Sequence, residues 1–140
     1  MTVIETFSPD ETFEAGRKIG ENALAGDIYT LNGDLGAGKT VFTQGIACGL
    51  GVKEHVNSPT FTILQQYDSG RLPLYHFDVY RIGSEDEMDE IGYGDCFYGK
   101  GVCIIEWAQL ISGIIPDTAR KITIEIDFEK GFDYRRITIE

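Results

Sequence analysis

Residues 28–51 read IYTLNGDLGAGKTVFTQGIACGLG, and within them Gly33-Asp34-Leu35-Gly36-Ala37-Gly38-Lys39-Thr40 fits the phosphate-binding pattern G-x-x-x-x-G-K-[ST]. The flanks matter as much as the pattern. A short run of β-formers, residues 28–31, precedes it. A helical stretch with Phe42, Ile46 and Ala47 follows, with Gly49 and Gly51 placed to stop it. Strand, glycine loop and helix is the order that phosphate binding requires. The glycines let the backbone curl so that successive N–H groups point inward, and the helix N-terminus adds its positive dipole end. In such a loop Lys39 reaches the β- and γ-phosphates and the Thr40 hydroxyl binds Mg²⁺. The competing reading is a glycine-rich turn that matches by accident; the strand and helix on either side weigh against it.

The chain has 140 residues, enough for one domain with one real core. Its 42% hydrophobic and 25% charged content is ordinary for a globular protein. The net charge of −11, from 12 basic and 23 acidic residues, disfavours extensive direct contact with nucleic acid or an anionic membrane. A basic partner protein suits it better. The same field opposes nucleotide binding, so the loop must act locally and Mg²⁺ must offset part of the charge. Cys48, Cys96 and Cys103 show no metal spacing, and their odd number argues against a disulfide framework. No leader pattern and no membrane-length apolar run is evident, so the expected setting is soluble and cytoplasmic.

Around the loop, the chain alternates between strand and helix signals. Residues 2–7 alternate and read as a strand at a sheet edge. Ser8, Pro9 and Glu11 mark a capped helix start, with Phe13, Ile19, Ala23 and Leu24 as its apolar face and Gly26 at its end. Residues 61–67 and 72–79 form two strands joined by the hairpin turn Asp68-Ser69-Gly70-Arg71. Ser84 and Glu87 predict a second capping box, and residues 93–100 a loop rich in glycine and aromatics. Val102-Cys103-Ile104-Ile105 has the unbroken apolar character of a buried parallel strand, followed by a short helix over 108–111. Residues 121–128 alternate, with Ile122, Ile124, Ile126 and Phe128 on one face; Lys130-Gly131 then turns the chain into a last strand, making a hairpin at the sheet edge. The expected fold is a single α/β domain over 1–140, a three-layer sandwich of the P-loop NTPase type with a mixed parallel and antiparallel sheet and a C-terminal hairpin.

A phosphate loop alone only binds. Hydrolysis also needs a carboxylate near Mg²⁺ and a group that positions water. Acids at the C-terminal ends of buried strands are the natural candidates, because ligands bind at that edge of an α/β sheet. Glu106 fits best, as a Walker-B-like carboxylate; the alternative is an acid that merely ends a strand. Asp78 sits inside an alternating apolar segment, where a carboxylate is costly unless it is paired or metal-bound, and Arg81 is the bland partner. Ser58 and Thr60 lie where many NTPases keep a γ-phosphate-ordered segment, although a turn or strand cap reads equally well. His76 reads as packed or hydrogen-bonded rather than catalytic, and Trp107 as core or the wall of the nucleotide site. Arg81, Arg135 and Arg136 are conceivable fingers that nothing in their spacing demands.

With GDLGAGKT, SPTFTI, HFDVYRI and IIEW in this order, the chain resembles the TsaE (YjeE) family over nearly all its length up to about Ile126. The resemblance implies a small bacterial ATPase required for the threonylcarbamoyl modification of adenosine 37 in tRNA. It implies that Asp34, Leu35, Gly36, Ala37, Gly38, Lys39, Thr40 and Val41 hold ATP, with Thr40, Glu106 and Asp78 toward Mg²⁺. Asp78, Glu106 and Lys39 then carry the chemistry, and Thr60 and Trp107 border the nucleotide. Val41 and Ala108 depart from the commoner Thr and Pro without touching an expected chemical role. The resemblance further implies two partners, the transferase TsaD and its non-catalytic paralogue TsaB, with tRNA engaged only through them and ATP hydrolysis resetting their complex. Two other readings are a small-molecule kinase, against which six dispersed arginines argue, and a non-hydrolysing scaffold that reports nucleotide state. The absence of an N-K-x-D segment favours ATP over GTP.

Overall fold

The computed structural model describes residues 1–34, 36–57 and 62–140. Among the described residues seven strands form one sheet: β1 (Thr2–Thr6), β2 (Ile28–Gly33), β3 (Leu64–Tyr67), β4 (Leu74–Asp78), β5 (Val102–Glu106), β6 (Arg120–Ile126) and β7 (Arg135–Ile139). Their order across the sheet is β1-β7-β6-β2-β5-β4-β3. The four central strands, β6, β2, β5 and β4, run parallel, and antiparallel strands flank them on both sides.

Alternation along β5 explains the layering. Val102 and Ile104 point to one face, toward helices α1 (Pro9–Asn22) and α2 (Lys39–Leu50). Cys103 and Ile105 point to the other, toward α3 (Asp86–Glu90), α4 (Tyr93–Phe97) and a 3₁₀ segment, Ala108–Ile114. Both faces are covered, so β5 is buried along its whole length. This is the expected three-layer α/β sandwich with a mixed sheet.

α1 starts as its sequence predicts: Ser8 Oγ accepts from the Glu11 N–H at 3.2 Å. Glu11 reaches one residue further back than a standard capping box, taking the Phe7 N–H at 3.0 Å. The helix ends at Asn22, before Gly26, because Ala23 is already extended. Arg71 from the β3–β4 turn closes that end, with Nη2 2.6–2.9 Å from the carbonyls of Gly20, Glu21 and Ala23. Leu24, expected on the apolar face, is exposed. What α1 turns inward is Thr12, Ala15, Gly16 and Gly20.

Those glycines meet glycines of α2. A Cβ on Gly16 would lie 2.3 Å from Phe42 O, and one on Gly20 2.1 Å from Ile46 O. Reciprocally, a Cβ on Gly45 would lie 2.1 Å from Phe13 O and one on Gly49 2.1 Å from Arg17 O. The helices therefore pack backbone on backbone, closer than side-chain ridges allow. Gly49 is a packing residue inside α2 and does not stop it. Gly51 ends the helix in the left-handed conformation (φ 82°), with its N–H on Ala47 O and Cys48 O.

Other expectations change for local reasons. The strand expected over 61–67 is ordered as β3 from Leu64; its first residue, Phe61, lies outside the described residues. Ser84 makes no side-chain cap: α3 begins after Glu85, whose Oε1 instead accepts the Gly113 N–H at 3.1 Å. The expected loop over 93–100 contains α4, because Tyr93 and Phe97 pack edge-on one turn apart (centroids 5.1 Å) and Phe97 also packs edge-on against Phe77 at 5.3 Å. Phe128 lies beyond the end of β6 and is exposed. The C-terminal hairpin is interior to the sheet edge, since β1 pairs outside β7.

Of the three cysteines, Cys48 is exposed, while Cys96 and Cys103 are buried. Burial pushes the Cys103 thiol up to about 12, with Cys96 adding to the shift. A thiol reagent at pH 8 should therefore modify one cysteine in the folded protein and all three after denaturation, read by absorbance. Rapid modification of more than one in the folded state would contradict this packing.

Candidate functional site

The glycine loop leaves β2 at Gly33 and enters α2 at Lys39. A Cβ on Gly33 would lie 2.9 Å from Ile124 O of the neighbouring β6, so the loop starts from a strand position where only glycine fits. Gly36 (φ 82°) and Gly38 (φ 93°) both take the left-handed conformation that curls the backbone. The Ala37 N–H closes the turn onto Asp34 O at 3.0 Å. Lys39 and Thr40 open α2, where the first N–H groups of the helix have no intrahelical partner. Val41 follows, half-buried, on the same first turn.

Parallel pairing brings the acids to this loop. β2 lies beside β5, and β5 beside β4, with Asp78 and Glu106 directly opposite each other in register. Strand alternation places Leu74, His76 and Asp78 on the face that carries α2, as it does Ile104 and Glu106. Glu106 is only 6% exposed, a depth at which a carboxylate requires partners. Among the described residues it has two: Oε1 lies 3.7 Å from Lys39 Nζ, and Oε2 lies 2.7 Å from His76 Nε2. Asp78 is half-buried at the strand end, with Oδ1 accepting the Tyr80 N–H at 3.1 Å. His76 is fully buried behind Glu106, and its Nδ1 has no hydrogen-bond partner among the described residues. Its bond to Glu106 agrees with its reading as a hydrogen-bonded group.

Trp107 follows Glu106 with φ 63°, a left-handed conformation that costs a non-glycine residue about 1 kcal/mol or more. The strain turns its indole over the site. Its ring lies 4.8 Å from that of Tyr80, and Lys39 Nζ sits 5.6 Å from its centroid. A cavity of about 400 Å³ opens on this side, bordered by Asn32, Gly33, Asp34, Lys39, Trp107 and the C-terminal end of β6.

Lys39, Glu106, Asp78, Trp107 and the described loop residues thus converge on the C-terminal edge of the parallel strands. Leu35, Ser58 and Thr60, expected in the nucleotide site, lie outside the described residues. Sequence reasoning missed the contribution of β6. Its pairing with β2 sets Thr123, Ile124, Glu125 and Ile126 along the cavity, and only the strand order reveals that.

A three-layer α/β sandwich with a glycine loop between its central parallel strand and the next helix is of the P-loop NTPase type. The family model described as "Threonylcarbamoyl adenosine biosynthesis protein TsaE" matches residues 6–137. The chain belongs to the TsaE family, which has a role in tRNA threonylcarbamoyladenosine biosynthesis. It is 49% identical to the tRNA threonylcarbamoyladenosine biosynthesis protein TsaE of Bacillus subtilis, over 95% of this chain and 81% of that protein. It is 42% identical to the TsaE of Treponema pallidum, over 85% of this chain and 87% of that one. The crystal structure of Bacillus subtilis YdiB superposes with a TM-score of 0.84 at 42% identity, covering 99% of this chain and 83% of its own.

Proposed function

We propose that this chain binds Mg²⁺–ATP in the loop Gly33–Thr40 and hydrolyses it, and that hydrolysis resets a TsaB–TsaD complex between cycles of tRNA modification. One observation carries the reading. Lys39 at the start of α2 and the buried Glu106 at the end of β5 meet at 3.7 Å, at the mouth of a left-handed glycine loop. A cation and a carboxylate held together where phosphates would enter are the two charges that phosphoryl transfer needs.

The residues present fit Mg²⁺. Among the described residues no cluster of three or more His, Cys, Asp or Glu could hold a metal by itself. That suits Mg²⁺, which takes one or two protein oxygens and completes its shell with water and substrate phosphate. Thr40, Asp78 and Glu106 are the oxygens this site offers. When bound, the metal neutralises charge developing on the phosphate oxygens. Lys39 supplies a second positive charge, and the N–H groups of the loop and the first turn of α2 bind the phosphates. Asp78, half-buried at the end of β4, is the acid we assign to orient water, while Glu106 is held toward the loop by Lys39 and His76. Trp107 walls the site, with Tyr80 packed against its ring.

The kinase reading requires arginines free to close over a phosphate. Arg17 is committed to Glu14 and Glu21, Arg71 to the end of α1, and Arg136 to Glu125. For the partner, the reading rests on family membership and the acidic balance of the chain.

Glu106→Gln and Asp78→Asn provide the test. Each should lower phosphate release by about 10²-fold or more while Mg²⁺–ATP affinity stays within a few-fold. Full activity of both variants would remove the hydrolytic role. Intact partner function in variants that no longer release phosphate would favour the scaffold reading.

A further inference from the structure

Arg135 belongs to the C-terminal hairpin, the part of the chain that carries no recognised motif, yet its side chain reaches the glycine loop. Nε donates to Ala37 O at 2.9 Å, and Nη2 to Gly36 O at 3.3 Å. Nη1 holds the other end, donating to Phe132 O at 3.0 Å and Tyr134 O at 2.7 Å. The planar guanidinium therefore ties four carbonyls together, two from the loop and two from the hairpin that leads into β7.

Peptide geometry gives this fork a consequence. In a trans peptide the C=O and the following N–H point in opposite directions. Fixing Ala37 O toward Arg135 turns the Gly38 N–H away from it, and fixing Gly36 O does the same for the Ala37 N–H, which closes on Asp34 O. A loop of left-handed glycines has little preference of its own to hold those planes. Arg135 supplies the constraint from a strand two places across the sheet from β2.

We infer that Arg135 is a positioning residue that pre-orients the N–H groups of the glycine loop for phosphate, through its carbonyls rather than by touching the nucleotide. The inference rests on the nucleotide-binding reading above. Four of its five N–H donors are engaged by backbone, so its geometry is that of a clamp and not of a finger aimed at the γ-phosphate. Lysine keeps the charge but has no rigid fork, and cannot bridge the loop and the hairpin at once.

The test compares the full chain with Arg135→Ala, Arg135→Lys and Arg17→Ala by calorimetric titration with Mg²⁺–ADP and Mg²⁺–ATP, together with steady-state phosphate release. Arg17 is the control, an arginine whose partners are Glu14 and Glu21 on its own helix α1, away from the loop. Both Arg135 variants should weaken ADP and ATP by the same factor, about tenfold, because the loop they loosen contacts phosphates common to both. Turnover at saturation should change little, and Arg17→Ala should match the parent. Unchanged affinities in the folded Arg135→Lys protein overturn the inference, as does a loss confined to turnover or to ATP, which would mark direct contact with the γ-phosphate. Amide hydrogen exchange separates this from failure of the nucleotide reading. Even if the parent binds neither nucleotide, Arg135→Lys should speed exchange of the Ala37 amide while amides of β2 and β6 keep their protection; an unchanged Ala37 rate contradicts the clamp.

Discussion

Replacing Lys39 with Ala is expected to lower affinity for Mg²⁺–ATP by about 100-fold and to abolish measurable phosphate release. The Lys39 ammonium faces Glu106 and the glycine loop at once. Charged hydrogen bonds of the kind it would make to phosphate contribute about 1.5–3 kcal/mol each, and 2.7 kcal/mol is roughly 100-fold in affinity. The variant also leaves the Glu106 carboxylate facing incoming phosphate with its cation gone, adding repulsion to the lost attraction. His76 still holds Oε2 of Glu106, so the sheet edge keeps a partner for its buried acid. Titration with a fluorescent ATP analogue and circular dichroism together check this. Unaltered affinity and turnover in a folded variant would remove Lys39 from the site.

The second large effect concerns the fold. Gly45→Ala places a methyl group where Phe13 O stands, 2.1 Å from the new Cβ, and adjacent contacts at 3.0 and 3.1 Å are backbone as well. Backbone cannot rotate away as a side chain can, so α1 and α2 must separate. The expected cost is about 3 kcal/mol or more. For a domain of this size that corresponds to a fall in Tm on the order of 10 °C, measured by calorimetry. The helix propensity gained from alanine, about 1 kcal/mol, is too small to compensate. Gly92→Ala serves as the contrast: a Cβ there meets nothing within 4 Å, so only its left-handed φ of 73° opposes the change. A Tm for Gly45→Ala equal to that of the parent would contradict the backbone-on-backbone contact.

Local chemistry was readable in the chain. The β-formers before Gly33, the glycines of the loop and the helical spacing after Lys39 each act within a few residues, and β2, the loop and α2 fall where those signals place them. The apolar run ending at Glu106 likewise marked a buried strand with an acid at its tip. Features depending on distant partners were not readable. Gly16, Gly20, Gly45 and Gly49 look like helix breakers until two helices are brought together. Leu24 and Phe128 continue an apolar pattern by spacing, but each lies beyond the end of its element and is exposed. The C-terminal hairpin looked like an edge because β1, from the other end of the chain, is needed to cover it.

At the site the same division holds. Glu106 follows from the rule that ligands meet an α/β sheet at its C-terminal edge, and Asp78 from the cost of a carboxylate inside an apolar segment. Their juxtaposition depends on the parallel register of β4 and β5, which no local pattern encodes. His76 as the second partner of Glu106, β6 as a wall of the cavity, and Arg135 on the loop all come from strand order. The strained backbone of Trp107 has no signature in its residue type, since tryptophan is disfavoured in that conformation.

The proposed hydrolysis of ATP at the Lys39–Glu106 site, in the service of a tRNA-modifying complex, is tested most directly by phosphate release from Mg²⁺–ATP by this protein, alone and mixed with a TsaB–TsaD complex, with Glu106→Gln setting the background. The account predicts release that rises strongly with the complex and falls to background in Glu106→Gln. Binding to the complex at saturating Mg²⁺–ATP with no release above that background would contradict it.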